Sequence, residues 1–178
     1  TFTGETATKT YTGSEIELTE VTVGGDDGLV NGHTHNVTYS AKGTEVGEYD
    51  GTITAKADVV IKSGDTEVTV NYEITTTPGK LTITKTTEEL TVALESKSYV
   101  YDGEAHSLPT AATTNAASGT TTIEYSKDGT TWVTDLSSLT ATAVADSCTI
   151  QVRATNPNYE NTATNSATLT ITARKVTF

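Results

Sequence analysis

At 178 residues the chain is long enough for one large or two small domains, each able to bury a modest core. Its 11 basic and 23 acidic side chains leave a formal net charge of -12, which repels nucleic acid and anionic membrane and excludes both as partners. No run of apolar residues approaches the ~20 needed to cross a bilayer, so no membrane insertion is expected, and a single cysteine, Cys148, excludes an intrachain disulfide or a zinc framework built from thiolates.

Close to a quarter of the residues are threonine, and apolar and polar side chains alternate with period two in seven runs. In chain order these are NVTYSA (36–41), DVVIKS (58–63), EVTVNYEITTT (67–77), KLTITK (80–85), TTIEYS (121–126), CTIQVRAT (148–155) and ATLTITA (167–173). Period two places alternate side chains on opposite faces of a strand, and β-branched residues favour that geometry. Between the runs lie Asp27-Gly28, Ser63-Gly64-Asp65, Lys127-Asp128-Gly129-Thr130 and Asn156-Pro157-Asn158, the residues that tight turns demand. Only SSLTATAVA (137–145) leaves room for a brief helix. The expected fold class is all-β, or mostly β.

An internal repeat organises the chain. Residues 1–18 align with 89–108, setting Tyr11-Thr12-Gly13 on Tyr101-Asp102-Gly103, and NYEITTTPGKLTIT (71–84) aligns with NYENTATNSATLTIT (158–172), setting Leu81 on Leu169. A period of about 88 residues indicates tandem domains. The expected division is residues 1–87, residues 88–175, and 176–178 as the first strand of a further copy, because Phe178 falls two periods after Phe2. The joining stretch TTEEL (86–90) has no glycine or proline and predicts a short, stiff link. Residues 1–87 carry 6 basic and 13 acidic side chains and residues 88–178 carry 5 and 10, so neither half is specialised by charge. Like-charged units on stiff joints predict an extended monomer. The lack of methionine and the start in mid-pattern predict a piece of a longer protein.

The stretches KTYTG, YVYDGEAHSL, GLVNGHTHNVTYSAKGTEVGEYDGTI and NYEITTTPGKLTIT resemble the MBG and YDG-type repeats, mostly-β modules that occur in tandem in large bacterial cell-surface proteins and adhesins. That likeness covers residues 1–87 and implies a β-grasp-like first unit. Residues 90–173 resemble a sister group of Ig-like surface repeats with a Tyr-Ser-x-Asp-Gly-x-x-Trp hairpin, here Tyr125 to Trp132, which implies an Ig-like sandwich. The second unit lacks the Val-Gly-x-Tyr lead-in that the first keeps as Val46-Gly47-Glu48-Tyr49. The resemblance implies a non-catalytic stalk or spacer in a secreted or wall-anchored bacterial protein, holding a distal domain away from the cell. Its partners would be neighbouring repeats, with host glycan or protein as a further possibility.

Tyr101, Asp102 and His106 invite a catalytic reading. Unit one, however, offers Thr12 where unit two has Asp102, so the turn repeats and the chemistry does not. Tyr101 is therefore expected to be a core or inter-strand aromatic and Asp102 a turn residue. His33 and His35, spaced by two, share one face of a strand and form a weak metal candidate with Asp26 and Asp27, against the plainer role of a strand start. GGDDG (24–28) lacks the ligand ladder of a calcium loop. Trp132, the only tryptophan, and Tyr125 are the binding candidates: a lid over the sandwich, or a platform for a sugar. Cys148 reads as a small buried hydrophobe rather than a reactive thiol. Some surface repeats form a Lys–Asn isopeptide bond beside a buried acid, for which Lys97, Asn165 and Glu124 are the candidates, though unit one has Ala7 in place of Lys97. No catalytic residues and no cofactor are expected. The alternative to a spacer is an adhesive or carbohydrate-binding module using the Trp132 hairpin or an edge strand.

Overall fold

Threonine- and valine-rich alternation becomes strand in most of its runs, and no α-helix forms anywhere in residues 1–178, all of which a computed structural model describes. The chain divides into two units, Thr1–Lys85 and Thr86–Phe178. Thr86 already belongs to the second: its N–H donates to Asn158 O at 2.9 Å and its carbonyl accepts from Glu160 N–H at 3.3 Å. Residues of TTEEL are therefore built into unit two from the first threonine onward.

Unit one contains twelve short strands: β1 (Phe2–Gly4), β2 (Ala7–Thr10), β3 (Ile16–Leu18), β4 (Val21–Val23), β5 (His33–His35), β6 (Tyr39–Gly43), β7 (Gly47–Asp50), β8 (Thr52–Ile53), β9 (Ile61–Ser63), β10 (Thr66–Glu67), β11 (Thr76–Thr77) and β12 (Lys80–Thr84). They pair in the orders β11-β1-β4, β10-β9-β5, β3-β6-β8 and β2-β12-β7. Phe2, Val37, Val59, Ile61 and Ile74 form one buried cluster, with Val21, Leu29, Ile53, Val68 and Tyr72 packed against it. A β-grasp sheet needs a helix to close on. Unit one has only two three-residue 3-10 helices, Lys56–Asp58 and Thr69–Asn71, so its sheets bury their apolar faces against one another as a sandwich.

The first and last segments of unit one travel together. β1 lies parallel to β11 and β2 parallel to β12, and both segments change sheet at the same level, through Glu5–Thr6 and Pro78–Gly79. Two backbones meet there with no room for a side chain: a Cβ on Gly79 would stand 2.0 Å from the Glu5 carbonyl oxygen. Glycine serves packing of another kind beside Tyr39, whose buried ring lies where a Cβ on Gly4 or Gly51 would be. The Tyr39 hydroxyl then donates to Glu5 O at 2.8 Å.

The alternation over 67–77 predicts one long strand, but the chain turns at Thr69–Asn71, so that only Glu67, at the end of β10, and Thr76–Thr77 pair. Thr69 Oγ1 accepts from Ile61 N–H at 2.9 Å and so replaces a ladder partner, while Val68 and Tyr72 keep their apolar bodies on the core. A side chain doing the work of a backbone group is a competing arrangement that periodicity does not register.

Unit two has fewer and longer strands: β13 (Val92–Ala93), β14 (Lys97–Val100), β15 (Thr113–Thr114), β16 (Thr122–Ser126), β17 (Cys148–Thr155) and β18 (Ala163–Thr172). One sheet runs β14-β18-β17-β16, and β13 pairs with β15. Ile150, Val152 and Ala154 of β17 and Ala163, Ala167, Leu169 and Ile171 of β18 line the inner face, packed with Leu90, Leu108, Tyr125 and Leu136 among the buried residues. The brief helix expected over 137–145 is two 3-10 turns, Leu136–Ser138 and Val144–Asp146.

The two units repeat their hydrogen bonding as well as their sequence. Ala7 lies opposite Leu81 and Lys97 opposite Leu169, both in parallel ladders. Tyr11 N–H donates to Thr84 O and Tyr101 N–H to Thr172 O, each at 2.8 Å. After each tyrosine comes a glycine in the left-handed region, Gly13 at φ 79° and Gly103 at φ 86°, which permits the chain to reverse without strain.

Candidate functional site

The stretch 97–109 ends β14 and turns. Asp102 Oδ1 accepts from Glu104 N–H at 2.9 Å and lies 3.0 Å from His106 Nε2, while the His106 ring stacks on Tyr99 at 4.2 Å with 13° between planes. Thr12 Oγ1 accepts from Ser14 N–H at 3.3 Å at the same place in unit one, so hydroxyl and carboxylate perform one turn-closing task. Tyr101 is not a core aromatic: it lies one residue past the end of β14 and is 44% exposed, whereas Tyr11, one residue past the end of β2, is 5% exposed. Tyr99 takes the inward place, its hydroxyl donating to Ser107 O at 3.0 Å.

The second candidate is the hairpin that carries Trp132. Ser126 and Asp128 close its loop between them: Asp128 Oδ1 accepts from Thr130 N–H at 2.8 Å and Thr131 N–H at 2.7 Å, and Ser126 Oγ accepts from Gly129 N–H at 2.9 Å. Tyr125 is 3% exposed, and its hydroxyl accepts from Ala112 N–H at 2.9 Å, so its ring is core and cannot stack on a ligand. Trp132 is half-buried, with the Arg153 guanidinium 4.1 Å from its ring centroid. Arg153 is held there by Glu124, its cross-strand partner, through Nε to Oε2 at 2.7 Å. One ring face is thus occupied by a cation. Replacing Trp132 by Ala removes half of a large buried ring and its cation contact, and is expected to cost unit two about 2 kcal/mol, read from a denaturant melt.

Three carboxylates of unit two are pulled below the ordinary aspartate range. Asp128 is lowered by the Thr131 and Thr130 N–H groups and Ser126, Asp102 by Glu104 N–H and then His106, and Asp146 by the N–H groups of Ala143 and Thr142. A depressed native pKa gives stability that is present above the unfolded value of about 3.9 and is lost as pH falls through the native value. Unit one carries the opposite sensitivity. Burial and then the Glu5 charge raise the Tyr39 hydroxyl, so its contribution is present below about pH 10 and lost above it. Trp132 fluorescence, which follows unit two alone, is therefore expected to show a melting midpoint that falls as pH drops below about 4, less steeply in Asp128→Asn.

His33 and His35 both turn one face inward, yet each already has partners. His33 Nδ1 lies 2.6 Å from the Tyr72 hydroxyl, and His35 Nδ1 accepts from Val37 N–H at 3.2 Å with its ring 4.8 Å from Phe2. Asp26, Asp27 and His33 share a cavity of about 600 Å³ with Glu73, but His35 does not line it. The four residues are not assembled as a ligand set, and no group of three or more His, Cys, Asp or Glu is placed to hold a metal ion. Nor do the isopeptide candidates converge. Lys97 extends over Tyr99, Asn165 Nδ2 donates to Val92 O at 2.9 Å, and Glu124 is engaged by Arg153. Cys148 is half-buried at the head of β17, opposite Leu169. Sequence reasoning missed Arg153, Tyr72 and Gly79. The first two act across the fold through registers that spacing along the chain does not reveal, whereas Pro78-Gly79 was visible as a break in an otherwise regular strand.

These features define the class: a pair of mostly-β sandwich units in which the prominent polar side chains close turns and hold strands. No helix is long and apolar enough to cross a membrane. No family model matches the chain, and no curated protein does. Among solved structures, the chain is similar to the titin domains Z1Z2 in complex with telethonin, at 14% identity and a TM-score of 0.40, with 98% of this chain and 94% of that one covered. It is also similar to fibronectin(III)-like modules of Clostridium thermocellum CbhA, at 18% identity and a TM-score of 0.34, covering 94% and 91%. For the immunoglobulin domains 1–5 of Sidekick-1 the figures are 14% identity, a TM-score of 0.36, and 97% and 41%.

Proposed function

We propose that the chain is a structural repeat pair, a non-catalytic stalk or spacer of a bacterial surface protein of the MBG and YDG type, secreted or anchored to the cell wall. One observation carries this reading. The turn after the first long ladder is rebuilt in both units with the same register and the same left-handed glycine, while the side chains that could do chemistry there change from Thr12 to Asp102. A repeated scaffold with unrepeated chemistry is what a spacer needs and what a duplicated active site would not show. The engaged state of Asp102, Trp132, His33 and His35 supports it, as does the even spread of acidic charge over both halves.

Two measurements test it. Pulled by its termini, the 178-residue chain is expected to unfold in two events, one per unit, and a glycan array is expected to show no binding that depends on Trp132. A glycan bound by the native chain and lost in Trp132→Ala, with folding intact, would move the assignment to an adhesive module.

A further inference from the structure

We propose that the surface formed by Tyr101, Val144 and Val176 at the end of unit two is a docking face for a further copy of this repeat, which enters by its N-terminal end. The inference rests on the tandem-repeat reading and names the partner that reading requires.

The face is apolar where the rest of the surface is Thr- and Asp-rich. Tyr101 is 44% exposed, Val144 50% and Val176 69%. Together with Ala143, Ala173 and Arg174 they line a concavity of about 490 Å³ whose only charged member is Arg174. Three large apolar side chains open at one place mark an interaction surface more strongly than the same residues scattered singly.

The repeat indicates which partner fits. Tyr101 and Tyr11 occupy one register position, each donating its N–H to the last strand at 2.8 Å, yet Tyr11 is 5% exposed. The position is thus one at which the repeat carries an aromatic ring in both copies and leaves it open in only one. The chain leaving the patch carries the second sign. Phe178 stands two periods after Phe2 and one after Leu90, residues that are 3% and 1% exposed as the first core residues of their units. A copy that took Phe178 as its first core residue would start two residues beyond Val176, within about 7 Å of chain, where tethering supplies a high effective concentration.

Charge agrees with this direction of entry. Arg174 lines the concavity, and Lys175 follows it in a chain with only 11 basic residues, while a copy of unit one presents Asp26, Asp27 and Glu73 around its own Thr1. An acidic leading end meeting a basic trailing end is attractive, and the same pairing disfavours the reversed orientation.

The test lengthens the full chain after Phe178 with residues 3–85 in one version and residues 91–178 in another, so that a fault in one added unit does not decide the outcome. Hydroxyl-radical footprinting is expected to show Tyr101 protected several-fold in a lengthened chain relative to the 178-residue chain, while the reactivity of Val70, 94% exposed in unit one, stays unchanged. The paired substitution Tyr101→Ser with Val144→Ser is expected to leave the melt of the 178-residue chain in place and to abolish the added protection and stabilisation in the lengthened one. Equal reactivity of Tyr101 in all three chains would overturn the proposal. So would a paired variant that lowers the melt of the 178-residue chain as much as that of the longer ones, since the patch would then belong to unit two's own core. Protection of Tyr101 that appears only on adding glycan or lipid vesicles would also overturn it. A Trp132-dependent glycan hit bears on the spacer reading alone and leaves these outcomes separately readable.

Discussion

Gly79→Ala is expected to cost unit one about 3 kcal/mol, the upper end of what overpacking produces, while leaving the Trp132-reported melt of unit two in place. The cost follows from what the new methyl group would meet. Its Cβ would lie 2.0 Å from Glu5 O, 2.5 Å from Glu5 C and 2.5 Å from Gly4 O, all backbone atoms that cannot rotate aside. Relief would require the β1–β2 segment to retreat from the β11–β12 segment. That movement pulls on both parallel ladders and on the bond from Lys80 N–H to Thr6 Oγ1 at 3.2 Å. Gly51→Ala is milder, because Tyr39 is a side chain and can shift, though its hydroxyl bond to Glu5 O resists the shift. A unit of this size has about 5–10 kcal/mol in total, so the Gly79 variant is expected to populate a state with unit one open and unit two closed at moderate urea. Tyrosine fluorescence or amide exchange in residues 1–85 would show it. A single transition at the native midpoint would mean that the close crossing at Glu5 is not fixed in solution.

The contrast between Gly79 and its counterpart explains how far the sequence alone could be followed. Unit two has Ala167 at the aligned position, with Ser166 in place of Pro78, and β18 runs unbroken from Ala163 to Thr172. In unit one the proline withholds a ladder N–H and the chain divides into β11 and β12. KLTIT and TLTIT were legible as strands because period two is local. What joined them to β2 and β14 was not, since a parallel partner more than seventy residues away leaves no mark in spacing. The same limit explains the misplaced Tyr101. Tyr101 and Tyr11 share one register, yet only Tyr11 is buried, because burial past a strand end depends on what else packs there, which spacing along the chain does not show. The turns are legible because Asp-Gly and Asn-Pro act through their own backbones. His33 and His35 lie on one face of β5, but their own ring nitrogens are engaged by Tyr72 and Val37, and His35 does not share the cavity that holds Asp26 and Asp27. The first-unit β-grasp came from resemblance rather than from any helical period, and no helix formed to support it.

If the two units are one design used twice, equivalent core positions should fail alike and separately. Leu81 and Leu169 are the strongest pair on which to expect this: each is 0% exposed, each sits on the last strand of its unit, and each faces the parallel partner, Ala7 or Lys97, at the same register. On their other side they meet Tyr49 and Cys148, where the units differ most. Leu→Ala at a site with no exposure removes three heavy atoms from close contact and leaves a cavity that two ladders hold open, so each substitution is expected to cost about 3 kcal/mol. Leu81→Ala should lower only the transition of residues 1–85, and Leu169→Ala only the transition followed by Trp132. Both effects should add in the double variant, since each cavity lies in a separate core. The neighbours decide the smaller difference between them. Tyr49, large and anchored by its hydroxyl to Glu45 O at 2.9 Å, gives little, whereas the small Cys148 side chain is easier to move into the space left by Leu169. Leu169→Ala should therefore fall a few tenths of a kcal/mol below Leu81→Ala. A loss at either site that lowers both transitions together would show that the units share one cooperative core, and would remove the physical basis for treating them as successive elements of an array.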